Sequence, residues 1–588
     1  MRHDSTPRSR STRSSRRFAV ALSAAAVATG LVALSGSSGA AVVKGSTADV
    51  ATPRYVNYTP NDLPRTDPLH ATKLGFDAGE PSIGVNHNTG KVMYQAILQT
   101  LQVTFDASVP AKATYKDVTN PLEGVETLDP FLFTDSVTGR TFVSQLVPPC
   151  SIASYTDSDG EPPVAGLPTA TAWTPSTGCG VGSNFDHQTV SAGPLPAGLV
   201  STYGPNRAVY YCSQVIVEAT CSRSLDGGIT FPQSGVMYTL SLVGEGCTGL
   251  HGHLRIAPDG TAYMPNFSCT DADGGERAAL VVADPGPVLS FDIRLLPTST
   301  TTPDFDSDPA VGIDAAGTAY MAFEDATSNM NVAVTKDRAF TYTDIQDIGK
   351  PFGIKNATMP KVVGGSAGRA AVTFLGTPTE APLATDDIPE NNLRSFDPDR
   401  GDPKGGWHLY IAHTYDSGKN WTVVDATPTD PVQRGCIWWG NVAANRIPEG
   451  DASCSSNPER NLLDFIDMTV DKQGRVLVGY ADGCVGPCAK DASSNTKDNN
   501  AAIARQTCGR GLYAEFDTAA DGPLRACAKT ATAPVAKPVA GTVGGGTVTP
   551  PSAAPVTLPT TGLPGGLPVA ALLVLGGAAV LARRVRTA

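Results

Sequence analysis

Ser224-Leu225-Asp226-Gly227-Gly228-Ile229-Thr230-Phe231 is the stretch of sequence that decides the fold. It predicts a tight turn between two antiparallel strands. The carboxylate of Asp226 can accept backbone N–H groups further along the turn, and Gly227 and Gly228 supply the positive φ that such a turn usually needs. Phe231 then begins the next strand. A single copy would fit an ordinary hairpin with an Asp-Gly turn equally well.

The stretch occurs again in two other places. Thr414-Tyr415-Asp416-Ser417-Gly418-Lys419-Asn420-Trp421 departs from the pattern only where Asn420 replaces threonine. Thr335-Lys336-Asp337-Arg338-Ala339-Phe340-Thr341-Tyr342 is a degraded copy with Ala339 in the place of the glycine. Each copy follows a short apolar strand. Recurrence at long intervals indicates a repeat fold.

The shared spacing, S-x-D-x-G-x-T-[FW], resembles the Asp-box of sialidase-like (BNR-repeat) β-propellers. The resemblance implies four-stranded sheets arranged radially, with the Asp-boxes on outer turns away from any ligand. It therefore implies structural roles for Ser224, Asp226, Gly228, Thr230, Phe231, Asp337, Asp416, Gly418 and Trp421.

Seven segments between residues 75 and 527 share a polar start, an alternating apolar strand, a turn that usually contains glycine, and a second strand. They start at Glu80, Asp129, Asp186, His251, Asp308, Met359 and Asp464. Period-2 alternation around a glycine turn is typical of hairpins. We predict an all-β fold with few helices, a seven-bladed β-propeller with six blades as the alternative. A two-sheet sandwich would explain the strands but not the repeats. Two inserts, 376–406 and 436–454, lengthen the last spacing.

The beginning of the chain predicts export. Residues 1–40 combine an arginine-rich start, an apolar run from Phe18 to about Leu34, and Ser38-Gly39-Ala40, which fits a signal-peptidase site. This arrangement is typical of a secretory signal peptide. The general secretory route is favoured, because Arg16-Arg17 is spaced wrongly for twin-arginine export. Residues 41–74 form a lead-in to a propeller over residues 75–527.

The end of the chain holds Leu558-Pro559-Thr560-Thr561-Gly562, an apolar stretch over residues 563–582 and a basic tail. Together they resemble the LPxTG sorting signal of Gram-positive surface proteins. The resemblance implies a membrane span only before sorting, sortase as a partner, and attachment of Thr561 to peptidoglycan. The Pro-, Thr-, Ala- and Gly-rich segment 528–557 predicts an extended wall-spanning linker. The sorting signal as a whole covers residues 558–588.

Charge and cysteines agree with export. The formal net charge is −12 although both ends are basic, so the body is acidic, and it has no basic stripe for nucleic acid. All twelve cysteines lie between residues 150 and 527 and predict disulfides rather than metal sites. Cys212 and Cys221 flank a short β segment. The expected pairings are Cys150–Cys179, Cys247–Cys269 and Cys436–Cys454, and Cys484, Cys488, Cys508 and Cys527 admit several connectivities.

Polar residues at the starts of the first strands should gather at one mouth of the channel, because the first strand of each propeller blade lines the axis. They are Glu80, Asp129, Asp186, His187, His251, His253, Asp308, Lys361, Asp464 and Asp467. Such groups could hold a cation such as calcium, bind sugar hydroxyls or perform acid–base chemistry. Alternatively, each aspartate caps its own turn or strand. No other cofactor is indicated.

The family resemblance also raises sialidase activity, which needs three arginines around the sialate carboxylate, a Tyr–Glu nucleophile pair and an acid–base Asp. The family's first arginine lies in an [FY]-R-I-P motif that this sequence lacks. Its nearest counterpart, Leu254-Arg255-Ile256-Ala257, predicts an ordinary strand arginine.

Trp438-Trp439 could form a sugar-stacking platform or pack under the insert. Two hypotheses follow: a wall-displayed propeller that binds an extracellular glycan or polymer, and a sialidase-like glycoside hydrolase or lyase.

Overall fold

The computed structural model describes most of the body of the 588-residue chain. The described residues are 51–60, 74–76, 78–97, 99–120, 128–147, 150–176, 186–214, 218–239, 246–247, 251–270, 275–297, 308–325, 327–378, 392–394, 406–434, 436–438, 461–489, 499–524 and 526. The predicted signal peptide, linker and sorting signal lie outside them. Within these ranges no helix has the length and apolar character needed to cross a bilayer.

Strands make up nearly all of the regular structure. The first strand along the chain is β1 (Arg54–Tyr58). Blade 1 contains β2 (Ser82–Val85), β3 (Val92–Ala96), β4 (Gln99–Phe105) and β5 (Ala113–Asp117). Blade 2 contains β6 (Leu128–Thr134), β7 (Thr141–Val147), β8 (Cys150–Thr156) and β9 (Thr174–Pro175). Blade 3 contains β10 (Asp186–Pro194), β11 (Arg207–Gln214), β12 (Glu218–Ser224) and β13 (Gln233–Thr239).

The next two blades continue the pattern. Blade 4 contains β14 (Gly246–Cys247), β15 (Arg255–Ile256), β16 (Ala262–Thr270), β17 (Glu276–Ala283) and β18 (Asp292–Leu295), with β14 and β15 both paired to β16. Blade 5 contains β19 (Ala310–Ile313), β20 (Ala319–Glu324), β21 (Met330–Thr335) and β22 (Asp344–Asp347). Short 3-10 helices occur at Thr169–Ala172, Lys350–Phe352 and Ala514–Phe516.

The last two blades contain the inserts and the chain closure. The chain forms β23 (Asn356–Gly364), β24 (Ala370–Thr377), β25 (Asn392–Arg394), β26 (His408–Thr414), β27 (Thr422–Asp425) and β28 (Cys436–Trp438), of which β23, β24, β26 and β27 make blade 6. Strands β25 and β28 come from the two predicted inserts and pair with each other. Blade 7 contains β29 (Asp467–Val470), β30 (Val476–Asp482), β31 (Asn500–Cys508) and β1.

The first strands of neighbouring blades contact one another in an unbroken circle, β2–β6–β10–β15–β19–β23–β29 and back to β2. This circle around one axis confirms the seven-bladed β-propeller and rules out both the six-bladed alternative and the sandwich. Apolar side chains fill the spaces between blades. For example, Met237 of blade 3 and Met264 of blade 4 belong to one buried cluster, and burying a side chain of this size contributes about 1.5–3 kcal/mol.

The ring is closed by a strand from the beginning of the chain. Strand β1 pairs antiparallel with β31, so the outermost strand of blade 7 precedes blade 1 in sequence. Residues 41–74 were predicted to be a lead-in, and the structure places 54–58 of this segment inside the propeller. The pairing needs a partner more than four hundred residues away, which local periodicity does not reveal.

The three Asp-boxes form the predicted turns between the third and fourth strands of blades 3, 5 and 6. In the first, Asp226 Oδ1 accepts the backbone N–H of Thr230 at 2.9 Å and Oδ2 accepts its hydroxyl at 2.6 Å. The hydroxyl of Ser224 accepts the N–H of Gly228 at 2.8 Å. Asp337 and Asp416 repeat this arrangement. The Asp-box prediction is therefore confirmed in all three copies.

The turns and the strand starts lie on opposite faces of the propeller. Neighbouring strands in each blade are antiparallel. The turns after the first and third strands therefore share one face, called here the turn face. The first strands begin at the other face, the start face. The Asp-boxes thus lie on the turn face, at the opposite end of the blades from the predicted channel-mouth residues.

Disulfides join neighbouring strands. Cys212 bonds to Cys221 between facing residues of β11 and β12, and the predicted Cys247–Cys269 bond joins β14 to β16. Cys484 bonds to Cys488, which selects one connectivity from the set left open by the sequence. The partners proposed for Cys150 and Cys436 lie outside the described residues.

Candidate functional site

The predicted channel-mouth residues lie around the axis at two depths. Each first turn is closed by a backbone hydrogen bond. In six blades, the residue four positions before the N–H donor of that bond defines the deeper level: Ser82, Phe131, His253, Ala310, Lys361 and Asp467. Two residues earlier lies the start level: Glu80, Asp129, His251, Asp308, Met359 and Phe465. His187 begins the longer first strand of blade 3. The single mouth expected from the sequence is therefore divided into two levels.

At the start level, three carboxylates converge. One oxygen each from Glu80, Asp129 and Asp464 lies within 4.8 Å of the others. Glu80 and Asp129 are buried, and Asp464 is half-buried. Carboxylate oxygens are the ligands that calcium prefers, so these are the described residues that could hold the expected cation.

The same acids also join the blades. Glu80 Oε2 accepts the backbone N–H of Asp129 at 3.1 Å, and Asp129 Oδ2 accepts that of His187 at 3.4 Å. All three residues have positive φ, between 47° and 51°, which turns these N–H groups toward the preceding blade. The carboxylates therefore hold the starts of neighbouring first strands, rather than each capping its own.

Two histidines continue this ring of contacts. His187 Nδ1 donates to the backbone oxygen of His251 at 2.9 Å and lies 3.3 Å from Asp308 Oδ2. Burial, followed by the neighbouring His187, lowers the pKa of His251 to about 3. His251 is therefore neutral at physiological pH. The side chain of Asp186 lies outside the described part of the structure.

Around the deeper level, a cation and three rings pack together across the channel, with Phe465 contributed by the start level. Lys361 donates a hydrogen bond to His253 Nδ1. The ring of His253 lies 4.2 Å from that of Phe131 and 4.8 Å from that of Phe465, and all four side chains are buried. Burial lowers the pKa of Lys361 to about 8, although Asp467 and Asp308 oppose the shift.

Arg255 lies on the turn-face side of these rings and next to Asp467, which belongs to the deeper level. Arg255 Nη2 is 3.7 Å from Asp467 Oδ1, which is an ion-pair distance but too long for a hydrogen bond. The Asp467 side chain is 3% exposed and that of Arg255 is 20% exposed. Burial raises the pKa of Asp467, against the effects of Arg255 and Lys361. Asp467 therefore lies beneath Arg255, which faces solvent.

A cavity of about 240 Å³ occupies the turn-face half of the channel, called here the axial cavity. Residues from all seven blades line it, among them Phe133, Arg255, Gly312, Val363 and Asp467. Its lining begins at Phe131 and Asp467, at the deeper level, and continues toward the turn face. Arg255 is part of this lining and stands two residues further toward the turn face than His253 of the deeper level.

Arg255 has donors to spare for a ligand. Its guanidinium carries five N–H groups, and among described residues Nη1 donates to the backbone oxygen of Leu254 at 3.0 Å while Nη2 faces Asp467. The second arginine in the lining, Arg207, is held by Asp135 through Nε and Nη2, each at 2.7 Å. Arg255 is therefore the cation available to an occupant of the cavity.

Arg255 lies in β15, so it is a strand arginine as predicted, but its position beside Asp467 was not predicted. The two residues are far apart in sequence, in blade 4 and blade 7, which hid their pairing. One signal was available: Arg255 stands two residues after His253, on the same side of the same first strand. The side chains of Trp438 and Trp439 are outside the described residues, so the stacking-platform idea stays a prediction.

Several solved structures are similar to this chain at low sequence identity. No protein-family model matches the chain, and a search of curated proteins finds no match. A protein of unknown function from Dyadobacter fermentans is 11% identical, with 77% of this chain and 98% of that chain covered and a TM-score of 0.35. An intramolecular trans-sialidase from Ruminococcus gnavus is 10% identical, with 72% and 93% covered and a TM-score of 0.29.

A six-bladed fucose-recognising lectin from Aleuria aurantia is also similar, at 10% identity, with 60% and 92% covered and a TM-score of 0.29. Similarity at this level leaves ligand and reaction open. The function therefore rests on the geometry of the channel.

Proposed function

We propose that this protein is a surface-displayed β-propeller that binds an extracellular carbohydrate in the axial cavity. The observation that supports this most directly is a partly exposed arginine in the lining of a cavity that all seven blades form together. A cavity at the propeller axis is a usual place for a small-molecule site, because many elements can each contribute a group to it.

The lining suits a sugar ring. The free N–H groups of Arg255 can donate to ring hydroxyl oxygens in a fixed fork. Phe131, Phe133 and Val363 supply apolar surface for the C–H faces of the ring. Asp467 fixes the guanidinium from below and balances its charge. The volume of about 240 Å³ is below the range of about 300–1,000 Å³ for drug-sized ligands, so one ring is the expected occupant.

Binding without turnover is favoured over hydrolysis. Glycoside hydrolases use two carboxyl groups that flank the bond to be cleaved. The aspartates lining the axial cavity are Asp135 and Asp467. The carboxylate of Asp135 accepts hydrogen bonds from Arg207, Tyr203 and Thr138, and Asp467 lies beneath Arg255. Among the described residues, the cavity thus lacks a free pair of carboxyl groups.

The test uses the purified full chain on a glycan array and with chromogenic glycosides. We expect binding without glycoside cleavage. Arg255→Lys keeps the charge but loses the planar fork, so affinity should fall at least tenfold with little change in unfolding midpoint. Arg294→Lys is the matched control, because Arg294 is a buried, paired arginine in β18 away from the cavity. Unchanged binding in Arg255→Lys would refute this site, and cleavage would favour the hydrolase.

Attachment to the cell wall through the sorting signal is part of the proposal. Its support is the sequence Leu558-Pro559-Thr560-Thr561-Gly562 followed by an apolar stretch and a basic tail. Replacing Leu558 and Pro559 with alanine should shift the protein from the wall fraction to the membrane or medium. Covalent wall attachment that persists in this variant would contradict the sortase assignment.

A further inference from the structure

A second cavity lies beside the axial cavity on the turn face. Its volume is about 640 Å³, and it runs between blades 7 and 1. Turns and loops line most of it: residues 87–90 after β2, 106–111 after β4, 471–475 around the β29–β30 turn, and 520–522. We call it the blade 7–blade 1 groove.

The groove and the axial cavity are continuous along the lining. Val85 and His87 border both. His87 Nε2 donates to the backbone oxygen of Val470 at 2.8 Å, which fixes the ring across the junction of the two blades. The ring of Tyr513 stands edge-on to it at 6.2 Å. A ligand that leaves the axial cavity on this side therefore passes His87 and enters the groove.

The charges of the groove are balanced. Its cationic and anionic lining residues are Lys472, Arg475, Arg505, Asp106, Asp471 and Asp521. Arg475 and Arg505 each lie 3.5 Å from Asp471 Oδ2. In the axial cavity, Arg207 is matched by Asp135 and Arg255 by Asp467. An ionic polymer would gain no net attraction from either space.

The remaining polar groups suit hydroxyl-rich ligands. Asn88, Thr89, Ser108 and Gln473 line the groove with amides and hydroxyls, which can both donate and accept. A peptide bound by strand addition would need an exposed strand edge for main-chain pairing, and the groove is lined mainly by turns. The lining therefore favours a carbohydrate chain over a peptide.

We propose that the axial cavity and the blade 7–blade 1 groove form one extended site for a linear, uncharged oligosaccharide. The terminal ring occupies the axial cavity against Arg255, and the following rings leave past His87 and lie along the groove. This inference rests on the proposed function, and it adds the direction of the chain, its neutrality and a dependence of affinity on length.

The experiment measures calorimetric affinities of the full chain for neutral homo-oligosaccharides. The probes are glucose, xylose, mannose and N-acetylglucosamine series of one to six rings, with galacturonic acid oligomers as the charged comparison. We expect one neutral series to bind, with affinity rising at least tenfold from one ring to three. The acidic series should show no such gain.

Variants separate the two parts of the site. Thr89→Trp places a bulky ring in the groove at an exposed turn position; it should remove the gain with length while leaving single-ring affinity unchanged. Ala316→Trp, at an exposed position of the β19–β20 turn of blade 5, is the matched control and should change neither. Arg255→Lys should weaken every length by a similar factor.

Each outcome decides a different point. Equal affinity for all lengths, or a length gain that survives Thr89→Trp, would overturn the extended site and leave the axial site standing. A length gain with full affinity in Arg255→Lys would show that the groove acts without the axial cavity, which also overturns the continuous site. Absence of binding to any sugar would remove the proposed function itself.

Discussion

Aspartates in the channel and aspartates in the Asp-boxes have opposite environments. Asp467 is almost fully buried, and burial raises its pKa. At Asp226, partial burial also favours a higher pKa, but hydrogen bonds from Thr230, Ser224 and Ile229 outweigh it and the pKa is lowered. Asp337 and Asp416 show the same lowered pKa. The exposed carboxylates are thus the better satisfied ones.

The difference in pKa depends on which part of the chain supplies the groups that contact each carboxylate. Every donor to Asp226 lies within four residues of it. The groups around Asp467 come from other blades: the backbone N–H of Ile83 at 3.1 Å from blade 1, Arg255 from blade 4 and Lys361 from blade 6. An Asp-box can therefore form locally, whereas the channel exists only when the ring has closed.

The largest expected effect is the loss of the channel acid. Asp467→Ala leaves the buried Lys361 and the partly exposed Arg255 without their shared anion. Because solvent can screen Arg255, the expected cost is about 2–4 kcal/mol of unfolding free energy, below the full cost of breaking a buried pair. Urea unfolding measures it. Asp416→Ala, in an Asp-box, serves as the comparison and should cost much less. Equal losses in the two variants would mean that the channel charges are not coupled across blades.

A second expected effect depends on pH. Burial lowers the pKa of both His251 and His413 from 6.5 to about 3. The unfolded chain takes up protons below pH 6.5 while the folded histidines stay neutral. Their contribution is therefore present above pH 6.5 and is lost as pH falls toward 3. Each histidine should lower the unfolding free energy by about 2 kcal/mol as the pH falls from 6.5 to 5.

Unfolding curves across this pH range test that expectation. His251→Asn and His413→Gln should each flatten the pH dependence of the unfolding free energy, and the double variant should flatten it further. The Asp-box aspartates, whose pKa values are lowered, lose their contribution only in more acidic solution. A wild-type curve that is level down to pH 5 would show that these histidines are not held neutral.

The sequence predicted the features that depend on neighbouring residues and missed those that distant segments form together. The Asp-box copies and the period-2 strands with glycine turns depend on neighbours in sequence, and both led to the correct blades. The closing strand β1 and the pairing of Arg255 with Asp467 join segments hundreds of residues apart. No pattern within one segment encodes such partners, so the candidate site was placed at the start face, while the axial cavity lies on the turn-face side.

A third, smaller effect is expected in an Asp-box. Asp226→Ala removes the acceptor for the hydroxyl of Ser224, two backbone N–H groups and the hydroxyl of Thr230. Water can reach most of these donors, so the cost should be about 1–2 kcal/mol in urea unfolding. Asp292→Ala, at a 70% exposed acid paired with Arg294, is the control and should stay within about 0.5 kcal/mol. A larger loss of unfolding free energy in Asp226→Ala than in Asp467→Ala would contradict the difference between the Asp-boxes and the channel.

The smallest expected effect concerns the degraded Asp-box. Ala339 has a φ of 68° in a position that is glycine in the other two copies. Ala339→Gly relieves about 1–2 kcal/mol of left-handed strain but removes a buried methyl group and adds backbone freedom to the unfolded chain, each about 0.5–1 kcal/mol. The unfolding free energy should therefore stay within about 0.5 kcal/mol of wild type.

The reverse change, Gly418→Ala, adds the strain and places a Cβ 2.8 Å from Val334, so it should be clearly destabilising. A large gain in Ala339→Gly would mean that its methyl group contributes little packing, and that this turn is strained for no local benefit.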